Sequence, residues 1–446
     1  MTKNNILILD FGSQYSQLIT RSVREHSVYC EQLPWHVSPD RVQNLEPGGI
    51  ILSGGPASIY DPGAPQLPAW VLDFGVPILG ICYGMQALTQ ALKGQVQPAE
   101  EREFGPALLQ VKETNPLLPT GSYQAWMSHG DRISELPAGF KILASTENSP
   151  AAAMGDLKRK YFGVQFHPEV KHTRHGSEIL ANFLFKICRV KPSWTPESII
   201  DNQVSKIRDQ IGNQQVLAAV SGGVDSSVAA ALVHQAVGKQ LQAVFVDTGL
   251  LRKDEGKQVI EAFRETLGYQ LHVIQAADQF FSALQGISDP EEKRTRIGNL
   301  FIRLFEKRAR EIGSPPFLVQ GTIYPDVVES YAPDRAETKT IKTHHNVGGL
   351  PERMDFKLVE PLRYLFKDEV RKIGNKLNLP DFLIWRQPFP GPGLAIRILG
   401  EVTPERVQIL QLADSIFRDE LNQAGLLRMQ TKTEGTKGEQ ILKGTA

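Results

Sequence analysis

Short apolar runs, separated by glycine-rich turns and helix-like stretches, recur along the first 190 residues of the chain. Five of these runs predict strands, at residues 6–9, 49–52, 77–81, 107–111 and 161–166. Helical patterns cover residues 14–25 and 84–92, and a further helix ends near residue 189. Apolar strands that alternate with helices are typical of a largely parallel sheet covered on both faces. We therefore expect a doubly wound α/β domain over residues 1–190.

The same alternation begins again after a linker at residues 190–196, which contains two prolines and little periodicity. Thr195 and Pro196 are typical of an N-cap followed by a proline at the first helical position. Strands are predicted at residues 216–220, 241–246, 271–274 and 317–319. Helices are predicted at residues 228–237, 253–267 and 290–312, and pieces near residues 357–359 and 367–377 finish the domain. This pattern predicts a second doubly wound, mostly parallel α/β domain over residues 196–384.

The character of the chain changes at residue 385. Residues 386–393 are a rigid, turn-rich segment with three prolines, and a strand-like piece and a helix-like piece follow. Residues 428–446 contain no aromatic residue and almost no apolar periodicity. We expect this tail to be disordered.

The composition excludes several classes of function. The 446 residues include 49 Lys plus Arg and 49 Asp plus Glu, so the formal net charge is zero. Such a chain has no bulk electrostatic attraction to nucleic acid or to an anionic membrane, and we expect neither as a partner. The apolar runs are too short to span a bilayer, and no targeting segment is evident at the N-terminus. Three cysteines, Cys30, Cys82 and Cys188, do not make a disulfide framework, so we expect a cytoplasmic protein.

Cys82 lies between Gly80 and Gly84, where an apolar strand meets a predicted helix. This is the spacing of a nucleophile elbow, in which glycines permit a turn so tight that the side chain projects above the sheet. A helix N-terminus also favours the thiolate form of a cysteine. An arbitrary cysteine at a strand end is more often a buried structural residue, but the flanking glycines favour a reactive thiol.

His167 and Glu169 are two residues apart after a strand, so in an extended chain their side chains face the same way. A thiol nucleophile needs a base, and the base needs an acceptor that fixes its tautomer. A single histidine is more often structural, yet this one accompanies the elbow and an S-G-G-P motif at residues 53–56. An oxyanion hole could then form from the backbone N–H groups of Gly54, Gly55 and Tyr83.

Together, the motifs G-I-C-Y-G-M-Q at residues 80–86, S-G-G-P at 53–56 and H-P-E at 167–169 resemble the class I glutamine amidotransferases. In that family the cysteine attacks the side-chain amide of glutamine, forms a glutamyl thioester and releases ammonia. The resemblance implies that Cys82 is the nucleophile, that His167 is the base and that Glu169 orients it. Residues 127–131 resemble a segment beside the glutamine pocket of the family.

Residues 221–227, S-G-G-V-D-S-S, lie between a predicted strand and a predicted helix. Glycines and hydroxyls at a helix N-terminus form a nest of donors for an anion, and no Walker lysine is present. A Gly-Ser loop alone is usually a turn, but the full string resembles the loop of N-type ATP pyrophosphatases, which hold the pyrophosphate part of ATP and adenylylate a substrate oxygen. The resemblance implies that Asp225 helps to hold Mg²⁺. It also implies that ATP is bound by Ser221, Gly222, Gly223, Val224, Asp225, Ser226 and Ser227.

Other loops extend this second candidate site. Asp247 closes the next strand, where a doubly wound sheet places a nucleotide. A later strand-end loop carries the carboxylates of Asp326 and Glu329. A cation and two imidazoles beside a pair of glycines are expected in a mobile lid over phosphates, and residues 341–349 supply them as Lys342, His344 and His345.

With P-E-E-K-R at residues 290–294 and the segment 386–397, these motifs resemble the glutamine-hydrolysing GMP synthases over residues 4 to 424. The resemblance implies glutamine, ATP and xanthosine 5′-phosphate (XMP) as substrates, Mg²⁺ with the ATP, and a homodimer. It also implies that Arg294 contacts the nucleotide substrate and Lys342 the pyrophosphate. The residues alone favour a solvated helix face for Arg294, because Lys293, Arg294 and Arg296 lie among acidic neighbours.

The chain departs from that family at its C-terminal end. The family continues with a globular piece, including a Lys-Pro-Pro segment, that completes its dimerisation domain, whereas this chain stops at Ala446. We therefore expect residues 385–446 to form a shortened α+β dimerisation domain. Two alternatives stay open: a related amidotransferase ligase with another acceptor, and a form that acts only as a glutaminase or a nucleotide-binding protein.

Overall fold

A computed structural model describes residues 4–268, 271–330, 356–427, 430–431 and 440–441. The chain divides into two compact units, Met1–Ser198 (unit 1) and Ile199–Ala446 (unit 2). Each unit contains its own α/β sheet, in agreement with the predicted fold class. Within the described ranges, no helix combines the length and the apolar character that a bilayer crossing requires.

Unit 1 is built on a nine-stranded sheet with the strand order β2-β1-β3-β4-β9-β8-β7-β5-β6. Its strands are β1 (Asn5–Asp10), β2 (Cys30–Pro34), β3 (Pro47–Leu52), β4 (Ile78–Ile81), β5 (Gln95–Val111), β6 (Ser122–Glu135), β7 (Lys141–Ser145), β8 (Ala153–Asp156) and β9 (Tyr161–Val164). Its helices are α1 (Ser16–Glu25), α2 (Pro39–Gln43), α3 (Trp70–Asp73), α4 (Tyr83–Ala91) and α5 (Gly176–Ala181), which continues as a π-helix over Asn182–Ile187. Strands β2, β1, β3, β4 and β9 pair in parallel, as predicted, whereas β5 to β8 pair antiparallel.

Both faces of the parallel strands are buried, which explains their continuous apolar sequences. On β1, Ile6 and Ile8 contribute to one core cluster, and Leu7 and Leu9 contribute to the other. Alternate residues of a strand point to opposite faces, so a strand covered on both sides must be apolar throughout. The carboxyl ends of these strands carry the loops in which the sequence predicts reactive residues.

The first part of the predicted linker at residues 190–196 packs on unit 1. Val190 is buried, and the backbone N–H of Trp194 donates to the carbonyl of Ser27 at 2.8 Å. The Trp194 ring lies 4.7 Å, centre to centre, from the Tyr29 ring, and the guanidinium of Arg24 lies 4.7 Å from the Trp194 ring. Residues up to Trp194 therefore form part of unit 1.

Unit 2 is built on a five-stranded parallel sheet with the order β12-β11-β10-β13-β14. Its strands are β10 (Val216–Val220), β11 (Leu241–Asp247), β12 (His272–Gln275), β13 (Phe317–Val319) and β14 (Lys357–Val359). The helices that follow the linker are α6 (Pro196–Ile211), α7 (Val224–Val237), α8 (Glu255–Leu267), α9 (Ala277–Leu284), α10 (Pro290–Glu311), α11 (Tyr324–Ser330), α12 (Lys367–Lys376) and α13 (Asp381–Ile384). Helix α7 begins four residues before its predicted start, because the N–H of Ser227 already donates to the carbonyl of Gly223 at 3.0 Å.

The C-terminal part of unit 2 differs from its prediction in one piece. Gly393–Arg397 is a 3₁₀-helix rather than a strand, and helix α14 (Pro404–Gln423) follows it. The hydroxyl of Thr403 caps α14 by accepting from the N–H of Arg406 at 3.3 Å. In the predicted disordered tail, Gln430–Thr431 pairs antiparallel with Gln440–Ile441. The other residues of the tail lie outside the described residues.

Candidate active sites

Cys82 lies at the junction of β4 and α4, on the sharp turn that the sequence predicts. Its φ is 51°, a value that non-glycine residues rarely adopt and that costs about 1–3 kcal/mol. A Cβ added at Gly84 would lie 2.3 Å from the carbonyl oxygen of Leu52, so only glycine permits the helix to start this close to β3. The turn therefore stores strain at the residue that carries the thiol.

His167 and Glu169 form a buried pair beside the elbow. The Nδ1 atom of His167 lies 2.7 Å from Oε1 of Glu169, and the two side chains are 4% and 0% exposed. The hydroxyl of Thr173 donates to the carbonyl of His167 at 2.6 Å, and the N–H of His167 donates to the carbonyl of Trp126 at 3.0 Å. Both the ring and the backbone of His167 are thus fixed.

The electrostatics of the site favour a protonated imidazole. Burial by itself lowers the pKa of His167, but hydrogen bonds to the Cys82 thiol and the Glu169 carboxylate, with the negative charge of both, raise it to about 10. Oε2 of Glu169 is buried and has no hydrogen-bond partner among the described residues, so the imidazole is the group that balances its charge. At neutral pH this favours the imidazolium form of His167.

The residues predicted for the oxyanion hole lie around the same turn. Tyr83 is the first residue of α4, and a Cβ added at Gly55 would lie 3.2 Å from its ring. A Cβ added at Gly54 would lie 3.3 Å from Cε1 of His167. The structure therefore brings these three residues to the thiol and the imidazole, whereas their role as oxyanion donors stays a prediction.

Several neighbours of the thiol have no local sequence signal. Sγ of Cys82 lies 3.6 Å from the carbonyl oxygen of Ser128 and 3.7 Å from Nε2 of Gln165. The Tyr15 ring meets the His167 ring edge-on, with 5.5 Å between the ring centres. Ser128 belongs to the segment 127–131 that resembles the family, but Tyr15 and Gln165 reach the site only through the fold.

The serines and glycines of the phosphate loop, residues 221–227, form a compact hydrogen-bonded turn before α7. The hydroxyl of Ser226 lies 3.1 Å from the hydroxyl of Ser221 and donates to the carbonyl of Gly223 at 3.1 Å. The hydroxyl of Ser227 is buried without a hydrogen-bond partner in the described part of the chain. Hydroxyls and a helix N-terminus converge here as an anion site requires.

Asp225 of this loop pairs with Lys367, which sequence analysis missed. Nζ of Lys367 lies 2.5 Å from Oδ2 of Asp225, across 142 residues of sequence. Oδ1 of Asp225 is buried and accepts no hydrogen bond within the described ranges. A buried carboxylate oxygen without a donor fits a cation such as Mg²⁺, and the lysine places a second charge at the same point.

The other residues predicted at the second site make contacts elsewhere in unit 2 or lie outside the described residues. Asp247 ends β11, and its carboxylate accepts from the N–H of Gly249 at 3.1 Å. Arg294 is exposed on α10 and pairs with Glu291. Lys342, His344 and His345 lie outside the described residues, as does the side chain of Glu329. Asp326 caps its own helix by accepting from the N–H of Ile323 at 3.0 Å.

Comparison with known proteins identifies both units. Residues 7–187 match the family described as Glutamine amidotransferase class-I, and residues 197–311 match the family described as NAD synthase. GMP synthase (glutamine-hydrolyzing) of Thermomicrobium roseum is 55% identical over 427 residues, which are 95% of this chain and 80% of the relative. The enzyme of the same name from Heliobacterium modesticaldum is 53% identical over 95% of this chain and 82% of the relative.

These similarities extend through both units, and they confirm the resemblance drawn from the motifs. The match to these relatives spans 95% of the chain, a range that includes the elbow, the H-P-E motif and the phosphate loop. The chain therefore belongs to the family of glutamine-hydrolysing GMP synthases.

Proposed function

We infer that the chain catalyses the glutamine-dependent amination of XMP to GMP, while ATP is cleaved to AMP and pyrophosphate. The observation that carries this function is a buried Cys–His–Glu arrangement and an S-G-G-V-D-S-S loop on one chain that is 55% identical to a GMP synthase. The two alternatives, another acceptor and a glutaminase alone, are not favoured, because the identity extends through both units.

In the proposed first step, Cys82 attacks the side-chain amide carbon of glutamine. The Glu169 carboxylate orients the imidazole of His167, which then gives its proton to the leaving ammonia. In this proposal the N–H groups of Gly54, Gly55 and Tyr83 donate to the oxygen that becomes negative in the tetrahedral intermediate. Water then attacks the thioester carbon and gives a proton to His167, the C–S bond breaks, glutamate leaves, and the Cys82–His167 pair is restored with that proton.

In the proposed second step, unit 2 activates XMP. The xanthine 2-oxygen attacks the α-phosphorus of ATP, a P–O bond breaks, and pyrophosphate leaves. The phosphate loop holds the departing pyrophosphate through its hydroxyls and N–H groups, with Lys367 beside it. Ammonia then attacks the activated carbon, and AMP leaves with the oxygen.

Asp225 is the residue that we propose for Mg²⁺, because its unpaired buried oxygen fits a hard cation. When bound, Mg²⁺ would neutralise part of the negative charge of the ATP phosphates. Lys367 pairs with Asp225 when the loop is empty and with a phosphate when ATP is bound. The charges at the loop are therefore paired in both states. Arg294 as the XMP contact, and Lys342, His344 and His345 as the lid, are proposals that rest on the family.

The glutaminase site and the synthetase site lie on one chain, and this favours the transfer of ammonia from the first to the second. At neutral pH free ammonia is mostly ammonium, which has no lone pair for attack, so transfer away from bulk water preserves the nucleophile. We propose in addition a homodimer formed through residues 385–446 and a cytoplasmic location, as expected from the family. The domain boundaries at residues 190, 196 and 384 belong to the same proposal.

The function is tested with two nitrogen donors and one substitution. Cys82→Ala should abolish GMP formation from glutamine and leave GMP formation from ammonia near the wild-type rate, because only the first step needs the thiol. Cys188→Ala, at a half-buried thiol against Gly49, is the matched control and should change neither activity.

The outcomes separate the assignments. Normal use of glutamine by Cys82→Ala would contradict the nucleophile assignment. A wild-type chain that hydrolyses glutamine but releases no AMP with XMP, ATP and ammonia would support the glutaminase alternative instead.

A further inference from the structure

The proline-rich segment, residues 386–400, begins against the phosphate loop. Nη1 of Arg386 donates to the carbonyl of Ser221 at 3.3 Å, and Nε of Arg386 pairs with the carboxylate of Glu255. The first residue of the segment therefore touches the backbone of the loop from a position 165 residues further along the chain. The shape of the segment decides where the Arg386 guanidinium lies.

Three of the fifteen residues of the segment lack a backbone donor. Pro388, Pro390 and Pro392 have no N–H, so they cannot contribute to a backbone hydrogen-bond ladder. Gly393 has φ +69°, and a Cβ there would meet the carbonyl oxygen of Leu250 at 2.4 Å. The N–H of Gly393 donates to the carbonyl of Pro390 at 2.9 Å, and several other carbonyls of the segment accept from side chains elsewhere in unit 2.

Arg252, in the loop after β11, supplies donors at the start of the segment. Its Nη1 and Nη2 atoms donate to the carbonyls of Gln387 and Pro388, both at 3.3 Å, and its guanidinium lies 4.4 Å from the centre of the Phe389 ring. The side chain is 5% exposed, and its Nε lies 3.3 Å from Oδ2 of Asp414 on α14. A fork-shaped cation that spans two adjacent carbonyls fixes their relative orientation.

Lys293, in the first turn of α10, supplies donors at the end of the segment. Its ammonium donates to the carbonyls of Ala395, Ile398 and Gly400, at 3.3, 2.7 and 2.6 Å. The side chain is fully buried, and no carboxylate of the described residues forms an ion pair with it. Three N–H donors thus meet three carbonyls, an arrangement specific enough to offset part of the cost of burying a charge.

We propose that Arg252 and Lys293 are positioning residues of the synthetase site. The two cations hold five backbone carbonyls of the proline-rich segment, and the segment in turn places Arg386 at the phosphate loop. Both act through the segment rather than on a substrate. The inference rests on the proposed function of unit 2, because it takes residues 221–227 as the ATP site.

A purely structural role for the two cations predicts a different result. If they only stabilised unit 2, their removal would reduce the amount of folded enzyme, which lowers the apparent kcat and leaves KM unchanged. A positioning role alters the loop in molecules that are folded, so KM for ATP rises. The ratio of the two effects therefore distinguishes the roles.

The experiment uses the full chain with ammonia as nitrogen donor, saturating XMP and varied ATP. Lys293→Met removes three donors but keeps an apolar chain of similar length, and Arg252→Lys keeps the charge but loses the fork. Each should raise KM for ATP about tenfold, the effect of losing one or two hydrogen bonds to a charged group. Lys293→Arg should recover part of the loss. Arg296→Gln, an exposed position on the same helix paired with Glu292, is the matched control and should stay at the wild-type KM.

A second measurement needs no turnover. ATP should raise the melting temperature of wild-type unit 2, and this rise should shrink in Lys293→Met and Arg252→Lys. If the wild type makes no GMP although ATP raises its melting temperature, the proposed function is wrong. The ATP-induced rises in melting temperature of the wild type and the two variants then test the positioning role by themselves. Wild-type KM and wild-type shifts in both variants would overturn the inference. If Lys293→Met does not fold, Arg252→Lys decides.

Discussion

The two candidate sites differ in how their charges are arranged before any substrate arrives. In unit 1 the side chains of His167 and Glu169 are 4% and 0% exposed and are already paired. In unit 2 the side chains of Lys367 and Asp225 are 31% and 28% exposed, although they also form an ion pair. The His167–Glu169 pair is therefore shielded from solvent and held in place, whereas the Lys367–Asp225 pair is partly exposed and can exchange partners.

This difference matches the two kinds of chemistry. Thiol chemistry uses charges that belong to the protein, so the proton donor and its partner can be buried in their working positions. Adenylyl transfer uses a ligand that brings several negative charges of its own, so the protein charges must be able to exchange partners when it binds. Accordingly, we expect substitutions in unit 1 to affect one nitrogen donor, and substitutions at the phosphate loop to affect both.

The largest expected effect comes from Asp225→Asn. The substitution removes the charge that Lys367 and the proposed Mg²⁺ share, so GMP synthesis should fall by about 10³-fold or more with glutamine and with ammonia alike. AMP release measured with each donor checks this. Asp201→Asn, on the exposed side of α6, is the control, and a loss confined to the glutamine reaction would contradict the comparison.

Glu169→Gln should have a smaller and donor-specific effect. Without the carboxylate the imidazole loses its orienting partner, and kcat for glutamine should fall by about 10²–10⁴-fold while the ammonia reaction is unchanged. Initial rates with the two donors measure the split. His175 and Glu178 form a similar but exposed pair at 3.1 Å, so Glu178→Gln should leave both rates intact.

The raised pKa of His167 predicts how the stability of unit 1 depends on pH. The folded protein holds the imidazole proton of His167 up to about pH 10, whereas the unfolded chain releases it near the ordinary histidine pKa of 6.5. This contribution is therefore complete below pH 6.5 and is lost as the pH rises through about 10. Unfolding followed by tryptophan fluorescence can report on unit 1, which holds four of the five tryptophans. A Glu169→Gln protein with the same decline as the wild type would exclude the carboxylate as the cause.

The smallest effect concerns unit 2 alone. Thr403→Ala removes the hydroxyl that caps α14 and should lower the free energy of unfolding by about 1 kcal/mol. Thr403→Ser keeps the hydroxyl and should stay near the wild type. Urea titration followed by the helical circular dichroism signal measures both, and an equal loss in the two variants would show that the methyl group matters instead.

Local patterns were sufficient for the compact strands and for the elbow. Strands β10 and β13 have the predicted residues, because a short apolar run between turn residues indicates a strand with little ambiguity. Only the last five residues of β5 were predicted, and β6 was missed. Strand β5 contains Pro98 and a register shift between Pro98 and Glu103, and many of its residues are exposed, so no apolar alternation marks it.

In the sites, the predicted placement of side chains agrees with the structure where the residues are close in sequence, and their roles stay predictions. Cys82 with its glycines, and His167 with Glu169, are short motifs whose geometry follows from the local backbone. Lys367 is 142 residues from Asp225, and no local pattern connects them. Lys293 had no predicted contact of its own, because the residues that it contacts, Ala395, Ile398 and Gly400, lie more than a hundred residues away.

The positive φ of Cys82 has an evolutionary consequence. A residue held in this conformation makes unit 1 less stable than the same fold with glycine at that position, which adopts the turn without strain. A lineage that obtained its nitrogen as free ammonia would lose nothing by that exchange and would gain thermal resistance. Replacement of Cys82 by glycine during evolution would then indicate that the lineage takes its nitrogen from free ammonia rather than from glutamine.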